Sequence, residues 1–202
     1  MADAVPTRAS LTGPRASCTA VEGATVVKQE RAPQADAEVL ARRTLQRIST
    51  IAVATASSSG HPWNSPVYAA FDGRAFYWSS LVDAVHSINI SENPSVFLAI
   101  FDSTAPDQSG RGVYARATAR ELAEADAVAT ALRALAARKG EPAKPVEDHV
   151  APQPRRVYEA VPDLMWTNRL HYEDGYYYDE RLPLDITCLQ PTRRRARTPS
   201  SR

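Results

Sequence analysis

The sequence predicts an α+β protein built around a small antiparallel β-barrel. Three observations carry this prediction. The β-rich apolar stretches follow one another closely and do not alternate regularly with helices. The turn sequences Asp72-Gly73 and Asp174-Gly175 are typical of hairpins. Helical stretches stand before, between and after the groups of strands, as expected of helices packed outside a barrel. A Rossmann-type sheet, which needs β–α alternation, is therefore disfavoured.

The first half of the chain predicts two helices and three strands. Residues Asp36–Ile48 place apolar side chains at near-helical spacing behind an acidic start, which predicts an amphipathic helix. Three β-rich runs then predict a meander: Ile51–Ala56, Trp63–Phe71 and Ala75–Ser79. Asp83 stands where an N-cap is expected, and Pro94 ends the short helix that begins there.

The second half predicts four strands and two further helices. The clearest helix is the Ala- and Leu-rich run Glu124–Lys139, which ends at Gly140. A proline-rich linker, Glu141–Pro154, leads into a short predicted helix at Arg155–Ala160. The predicted strands are Ser95–Asp102, Val113–Glu121, Leu164–Tyr172 and Tyr176–Ile186.

Composition divides the 202 residues into three segments. Residues 1–33 contain no Phe, Tyr, Trp or Ile, and residues 191–202 contain five arginines and no acid. Both segments lack the apolar area that would offset chain entropy, so we expect a disordered N-terminal arm and a disordered Arg-rich tail. The domain between them, residues 34–190, carries 15 basic and 20 acidic side chains.

This charge balance limits the kinds of partner that we expect the domain to bind. An acidic domain argues against broad nucleic-acid binding, although the arginine tail could contact phosphates or anionic lipid. No apolar run is long enough to cross a bilayer, and the first ten residues lack the apolar core of a signal peptide. We therefore expect a cytoplasmic protein without nucleic-acid or membrane partners.

Several common catalytic and binding motifs are absent from the sequence. It contains no GxGxxG, GxxxxGK[ST], HExxH, CxxC or GxSxG pattern. The four histidines are widely separated, and the two cysteines stand near opposite ends of the chain. We therefore expect neither a metal site nor a disulfide framework.

Polar residues concentrate where the predicted meander meets the short helix. Ser79 and Ser80 precede the start of this helix, and His86 lies within it. Hydroxyl groups, an imidazole and the free N–H groups of a helix start together suit a phosphate. An equally supported alternative is that the serines cap the helix and His86 packs beneath it. Each of the three tryptophans could likewise line a pocket or fill a core.

The run from Ile51 to Glu121 resembles a known family. The segments IAVATASSSGHPWNSPVYAAFDGRAFYWSS, HSINISENPSVFLAIFDST and GVYARATARELAE are similar to the pyridoxamine 5′-phosphate oxidase-like, FMN-binding split-barrel superfamily. The resemblance implies a six-stranded antiparallel split β-barrel with flanking helices. It further implies a homodimer, with FMN in each groove between the subunits. The implied function is a flavin-dependent oxidoreductase that transfers hydride through flavin N5 to or from a small-molecule substrate or NAD(P)H.

The resemblance also assigns residues to the flavin. It places the second strand beside the ring, and the third strand and short helix around the phosphate. Arg111 falls at a polar flavin contact, and Trp166 would reach the flavin of the partner subunit. The ring residues are Asn64, Ser65, Pro66 and Val67; the phosphate residues are Trp78, Ser79, Ser80, His86 and Ser87.

Departures from the family pattern bear on the activity. The oxidases carry basic residues where this chain has Asn64 and Ala69, and an Arg-Lys pair where it has Val85-His86. Oxidation of pyridoxamine phosphate is therefore disfavoured. The deazaflavin F420 and haem stay open as alternative cofactors, as does a binding module without turnover. We identify no catalytic acid or base in the sequence.

Overall fold

The structure of the protein, a computed structural model, describes residues 34–106 and 111–189. The predicted arm, residues 1–33, and the predicted tail, residues 191–202, lie outside the described residues. Within the described ranges there are three α-helices and seven β-strands, with short 3₁₀ segments at Val146–His149 and Ile186–Leu189. The helices are α1 (Gln34–Arg47), α2 (Val85–Glu92) and α3 (Ala125–Lys139). The strands are β1 (Thr50–Ala56), β2 (Pro62–Phe71), β3 (Phe76–Leu81), β4 (Ser95–Phe101), β5 (Gly112–Glu121), β6 (Arg155–Glu173) and β7 (Tyr176–Leu184).

Six of these strands close into an antiparallel barrel, which confirms the predicted fold class. The hydrogen-bonded order is β3-β2-β1-β4-β5-β6, and β6 pairs again with β3 to complete the ring. β7 pairs only with the distal half of β6, outside the ring. The turn between β6 and β7 places Asp174 and Gly175 at φ 50° and 87°, as expected for a hairpin turn with both central residues left-handed.

The predicted short helix at Arg155–Ala160 is wrong, because these residues begin the 19-residue strand β6. Residues 156–160 are all buried, with Val157 under α3 and Tyr158 inside the barrel. The segment pairs with β3 on one edge and, from Tyr158 onward, with β5 on the other. Pairing and burial on both faces outweigh a weak local preference for helix.

Two apolar layers hold the fold together. The barrel interior is filled by alternate residues of the strands, including Phe76, Trp78, Leu98 and Ile100. A second layer lies outside the barrel, where Leu132 and other residues of α3 cover the outward side chains of β2, β3 and β6. Each buried strand residue thus faces either the interior or α3, according to its position in the alternation.

The helix ends confirm one prediction and correct another. Gly140 ends α3 with φ 71°, a left-handed conformation that glycine adopts without steric cost. The N-cap of α2 is Ala84 and not Asp83, and no side chain caps this helix. The first N–H groups of α2 therefore lack a side-chain acceptor. No helix in the described part of the chain is long and apolar enough to span a membrane.

Candidate functional site

The exposed half of β2 is the centre of the candidate site. Residues Pro62–Asn64 and Pro66 are exposed, whereas Ser65 is half-buried and Val67 belongs to the barrel core. Asn64 and Pro66 therefore project outward, and Ser65 and Val67 project inward, as strand alternation requires. A ring lying on the outer surface can meet the side chains of Asn64 and Pro66. It can reach Ser65 and Val67 only through their backbone.

Small side chains make the outer surface beside β2 shallow. In the strand register, Pro66 pairs with Ala52 and Asn64 pairs with Ala54. Ala52 in turn pairs with Ala99 of β4. Partners that lie directly opposite share a face of the sheet, so three alanines form a flat floor next to Asn64 and Pro66. The sequence analysis missed these alanines, although outward-facing Ala at alternate positions of β1 is a recognisable signal.

A groove of about 440 Å³ continues this floor toward the start of β1 and the end of β4. Ala52, Pro66 and Phe101 line its apolar part. At its polar end Arg47 and Asp102 form an ion pair at 3.3 Å. The hydroxyl and backbone N–H of Thr104, aided by Arg47, hold the pKa of Asp102 below its usual range. The volume lies within the range of small-molecule sites.

A hydrogen-bond network ties β2, β3 and α2 together directly behind this surface. The His86 Nδ1 atom lies 3.1 Å from Ser65 Oγ, and its Nε2 atom lies 2.8 Å from Ser80 Oγ. The Trp63 indole Nε1 donates to Ser65 Oγ over 3.0 Å. One turn further along the same buried face of α2, the Asn89 amide donates to Thr55 Oγ1 of β1. The start of α2 is therefore fixed against the outer end of β2.

His86 is neutral in this network. It is 7% exposed, and burial lowers its pKa from 6.5 because a low-dielectric environment disfavours the charged ring. A neutral imidazole carries one N–H, so it donates to one serine and accepts from the other. His86 thus organises the site but brings no positive charge to a phosphate.

The buried, neutral state of His86 predicts an acid-sensitive fold. The folded pKa is lowered, so below about pH 6.5 the unfolded chain takes up a proton that the folded chain does not. We expect the free energy of unfolding to fall by up to about 1.4 kcal/mol per pH unit in that range, in addition to the contributions of other groups. Urea unfolding between pH 8 and 5 measures the slope. His86→Gln should reduce this slope by the equivalent of one proton, whereas His61→Gln, the matched change at an exposed histidine, should not. An unchanged slope in His86→Gln would contradict the prediction.

The structure separates the two serines that the sequence analysis grouped. Ser80 lies on the same face of β3 as Trp78 and bonds to His86. Ser79 lies on the opposite face, under α3, where its Oγ atom is buried without a partner among the described residues. Only Ser80 can act together with His86. Ser87, in the first turn of α2, is buried beside Tyr158.

Trp78, Arg111 and Trp166 do not join the surface at β2 within one chain. Trp78 is fully buried and stacks on Tyr158 inside the barrel. Arg111 stands before β5, three strands from β2 in the sheet, and its Nη1 atom is buried without a partner in the described ranges. Trp166 is level with Pro66, but β1, β4 and β5 lie between them. That separation is about 19 Å along the sheet at ~4.8 Å per strand.

The positive charge nearest the end of β3 comes from another strand. The sequence has no Lys or Arg from Ala75 to Gly110, but Arg156 of β6 pairs with Ser80 in the strand register and forms an ion pair with Glu121. Hydroxyls and the uncapped N–H groups of α2 are further donors available to an anion there. In the part of the chain that the structure describes, no group of three or more His, Cys, Asp or Glu is placed to hold a metal ion.

Comparison with known families shows to which family this chain belongs. The family model for pyridoxamine 5′-phosphate oxidase matches residues 37–169, well over half of the chain. The chain belongs to this family. The match extends from α1 into β6 and so includes the whole surface around β2, β3 and α2. Among curated proteins, no sequence matches this member of the family significantly.

Solved structures share the fold of this family member at low sequence identity. A candidate 5-nitroimidazole antibiotic resistance protein from Bacteroides thetaiotaomicron is 11% identical with a TM-score of 0.54, over 64% of this chain and 81% of that one. A heme binding protein from Mycobacterium smegmatis is 21% identical with a TM-score of 0.52, over 74% and 59%. A protein of unknown function from Agrobacterium tumefaciens is 16% identical with a TM-score of 0.55, over 72% and 61%. These likenesses show the shared barrel.

Proposed function

We propose that this chain is an FMN-dependent oxidoreductase of the pyridoxamine 5′-phosphate oxidase-like family. The observation that carries the proposal is the network Trp63–Ser65–His86–Ser80, which joins β2, β3 and the start of α2. The family resemblance assigns these three elements to the flavin. Bound FMN would supply hydride transfer through its N5 atom, and the protein would supply orientation and exclusion of water.

The residues present fit a flat, conjugated ring. The floor formed by Ala52, Ala54 and Ala99 leaves room for a planar group against β1 and β4, and the Asn64 amide offers both a donor and an acceptor at its edge. Trp63, 47% exposed, lies at the exposed end of β2 on the same face as Ser65 and is held in place by its bond to Ser65. These side chains can orient a ring and shield one of its faces from water.

The phosphate end of FMN would rest on the start of α2. The N–H groups of this helix start lack a side-chain cap, and its positive dipole end favours an anion. Ser80 supplies a hydroxyl that His86 orients. Because this chain has Val85-His86 in place of the basic pair, we expect weaker binding than in family members that carry that pair. Oxidation of pyridoxamine phosphate itself is not part of the proposal.

We also propose that the site is completed by a second copy of the chain. Phe97, Tyr114 and Trp166 form an aromatic patch on the outer face of β4, β5 and β6, with ring centroids 6.3–6.5 Å apart. Phe97 is 42% exposed, and large exposed apolar patches mark interfaces. Because Trp166 belongs to this patch, four strands from β2 along the sheet, we expect it to reach the flavin of the partner subunit across the interface. Sedimentation at micromolar concentration checks the dimer, and a monomer would contradict it.

A second candidate is a binding module that holds a flavin, F420 or haem without turnover. The neutral, doubly bonded His86 favours it, because His86 then has no free proton acceptor for acid–base chemistry. The M. smegmatis neighbour, by its description a heme binding protein, keeps haem among the ligands to be tested.

Two measurements separate these candidates. The absorption spectrum of protein purified in excess FMN, F420 or haem identifies the cofactor, since the three differ in their bands. We expect FMN to be retained; retention of F420 or haem in its place would replace the proposed cofactor. Anaerobic mixing of the loaded protein with NADPH then tests turnover. Bleaching of the flavin supports an oxidoreductase, and a bound but inert flavin supports the module.

A further inference from the structure

A half-open cavity of about 240 Å³ lies on the opposite face of β3 from His86. It is bounded by the C-terminal half of α3, by β2 and β3, and by the segment that leads into β6. Leu132, Leu135 and Ala136 give it an apolar wall. The remaining walls carry polar and charged groups, and two of these groups lack partners.

His149 is the first group without a complete set of partners. It is 2% exposed and lines the cavity. Its Nδ1 atom lies 3.1 Å from the Pro145 carbonyl oxygen, which can only accept, so Nδ1 carries the proton. With one proton on the ring, Nε2 is a buried acceptor, and no donor in the described residues reaches it. Buried polar atoms nearly always have partners, so this atom points to a missing donor.

Ser79 is the second such group. Its Oγ atom is buried and unpartnered among the described residues, and it faces the same cavity from β3. A hydroxyl can donate and accept. Together with His149, it presents one acceptor and one adaptable group to whatever occupies the cavity.

The charges around the cavity favour an anion. Lys139, Lys144 and Arg155 line it, against the single carboxylate of Glu141. These three cations come from three separate segments, and within the described ranges no ion pair neutralises any of them. Lys139 lies 4.9 Å from the centre of the Tyr68 ring, which also lines the cavity. Three cations that line one cavity beside an apolar wall favour the binding of a small anion.

We propose that this cavity binds a small phosphate-bearing molecule. Phosphate oxygens would accept from Lys139, Lys144 and Arg155, and a protonated phosphate oxygen would donate to His149 Nε2. A carboxylate or a sulfate offers acceptors but no O–H for Nε2, whereas inorganic phosphate or a monoanionic phosphate ester offers both acceptors for the cations and an O–H for Nε2. The inference does not rest on the proposed flavin function.

Inorganic phosphate and sulfate are the probes that test this site. At neutral pH every phosphate ion keeps at least one O–H, whereas sulfate has none, and the two ions are similar in size. Calorimetric titration of the full chain at constant ionic strength should give saturable phosphate binding, at least tenfold tighter than sulfate binding. Absence of saturable phosphate binding, or equal affinity for both ions, would overturn the proposal.

Three variants assign the binding to this cavity. His149→Asn keeps a donor for the Pro145 carbonyl but removes Nε2, so the preference for phosphate over sulfate should fall to about one. Lys144→Gln with Arg155→Gln should weaken both ions at least tenfold. Arg133→Gln, an exposed change on α3 away from the cavity, is the matched control and should change neither. If the Lys144 and Arg155 double variant bound phosphate and sulfate with wild-type affinities, the binding would lie elsewhere and the proposal would be contradicted.

A competition experiment distinguishes a free phosphate ligand in this cavity from the phosphate group of a bound flavin. Because Ser79 and Ser80 face opposite sides of β3, saturating FMN should leave the affinity for inorganic phosphate unchanged. Displacement of phosphate by FMN would show that the cavity holds the flavin phosphate, and would overturn the separate site. Failure of FMN to bind at all would count against the proposed function and leave the phosphate result standing.

Discussion

Replacing His86 and Ser80 together by alanine is expected to weaken FMN binding by more than tenfold, or about 1.4 kcal/mol. The two side chains join β3 to the start of α2, and His86 also holds Ser65 at the exposed end of β2. Without them the hydroxyl donor is lost, and the helix start is no longer fixed relative to the ring surface. Fluorescence quenching of FMN at neutral pH measures the affinity.

The neighbouring residue provides the control for this experiment. Ser79→Ala removes the same hydroxyl from the opposite face of β3, so FMN affinity should stay within about twofold of wild type, whereas phosphate binding in the α3 cavity should weaken. Should the double variant fail to fold, Ser80→Ala alone against Ser79→Ala keeps the comparison. Equal losses from the two single variants would mean that the flavin phosphate is not held at the start of α2.

Trp78→Ala is expected to have the largest effect on stability among the residues assigned to the site. The side chain is fully buried and stacks on Tyr158 with ring centroids 5.8 Å apart. Truncating such a residue costs about 3–5 kcal/mol through lost contacts and the cavity left behind. Urea unfolding followed by circular dichroism measures the loss. If the alanine variant does not fold, Trp78→Phe should fold with a smaller loss, since it keeps a ring in the core.

Trp63→Ala should lower FMN affinity while changing stability little. Trp63 is half-exposed, and its bond to Ser65 lies at the surface, so stability should change by less than about 1 kcal/mol. FMN affinity should fall, because the bond that holds Ser65 in the network with His86 is lost. An unfolding midpoint unchanged by Trp78→Ala, or lowered more by Trp63→Ala, would contradict this division between a core and a site tryptophan.

Much of the fold was predictable because its signals are local. The apolar runs of β1, β4 and β5, the glycine at the end of α3 and the turn at Asp174-Gly175 each specify one element through nearby residues. The segment at Arg155–Ala160 was not predictable in this way. Its conformation depends on β3 and β5, which lie 35 or more residues away, and a short helix and a buried strand look alike in six residues.

The strands and the helix that form the candidate site were predicted more accurately than the side chains that face it. Because side chains alternate along a strand, only one of two adjacent residues faces a ligand on a given side of the sheet. The prediction from the sequence did not apply this rule: it placed Ser79 together with Ser80, and Asn64 together with Val67. Alternation within β2 and β3 was available from the sequence, since buried Phe76 and Trp78 share a face with Ser80. The cavity residues His149, Lys144 and Arg155 gave no such signal, because the proline-rich segment that carries two of them has no regular period.

Closure of the barrel by β6 has a consequence for synthesis on the ribosome. β3 ends at Leu81, and the residues that cover its free edge begin at Arg155. At ~5–20 residues per second, those 74 residues take about 4–15 s to be made. During that time the nascent chain carries an unpaired strand edge at β3, a template for pairing with other chains. Chaperone occupancy should therefore peak on nascent chains that contain β3 and fall once β6 has left the exit tunnel.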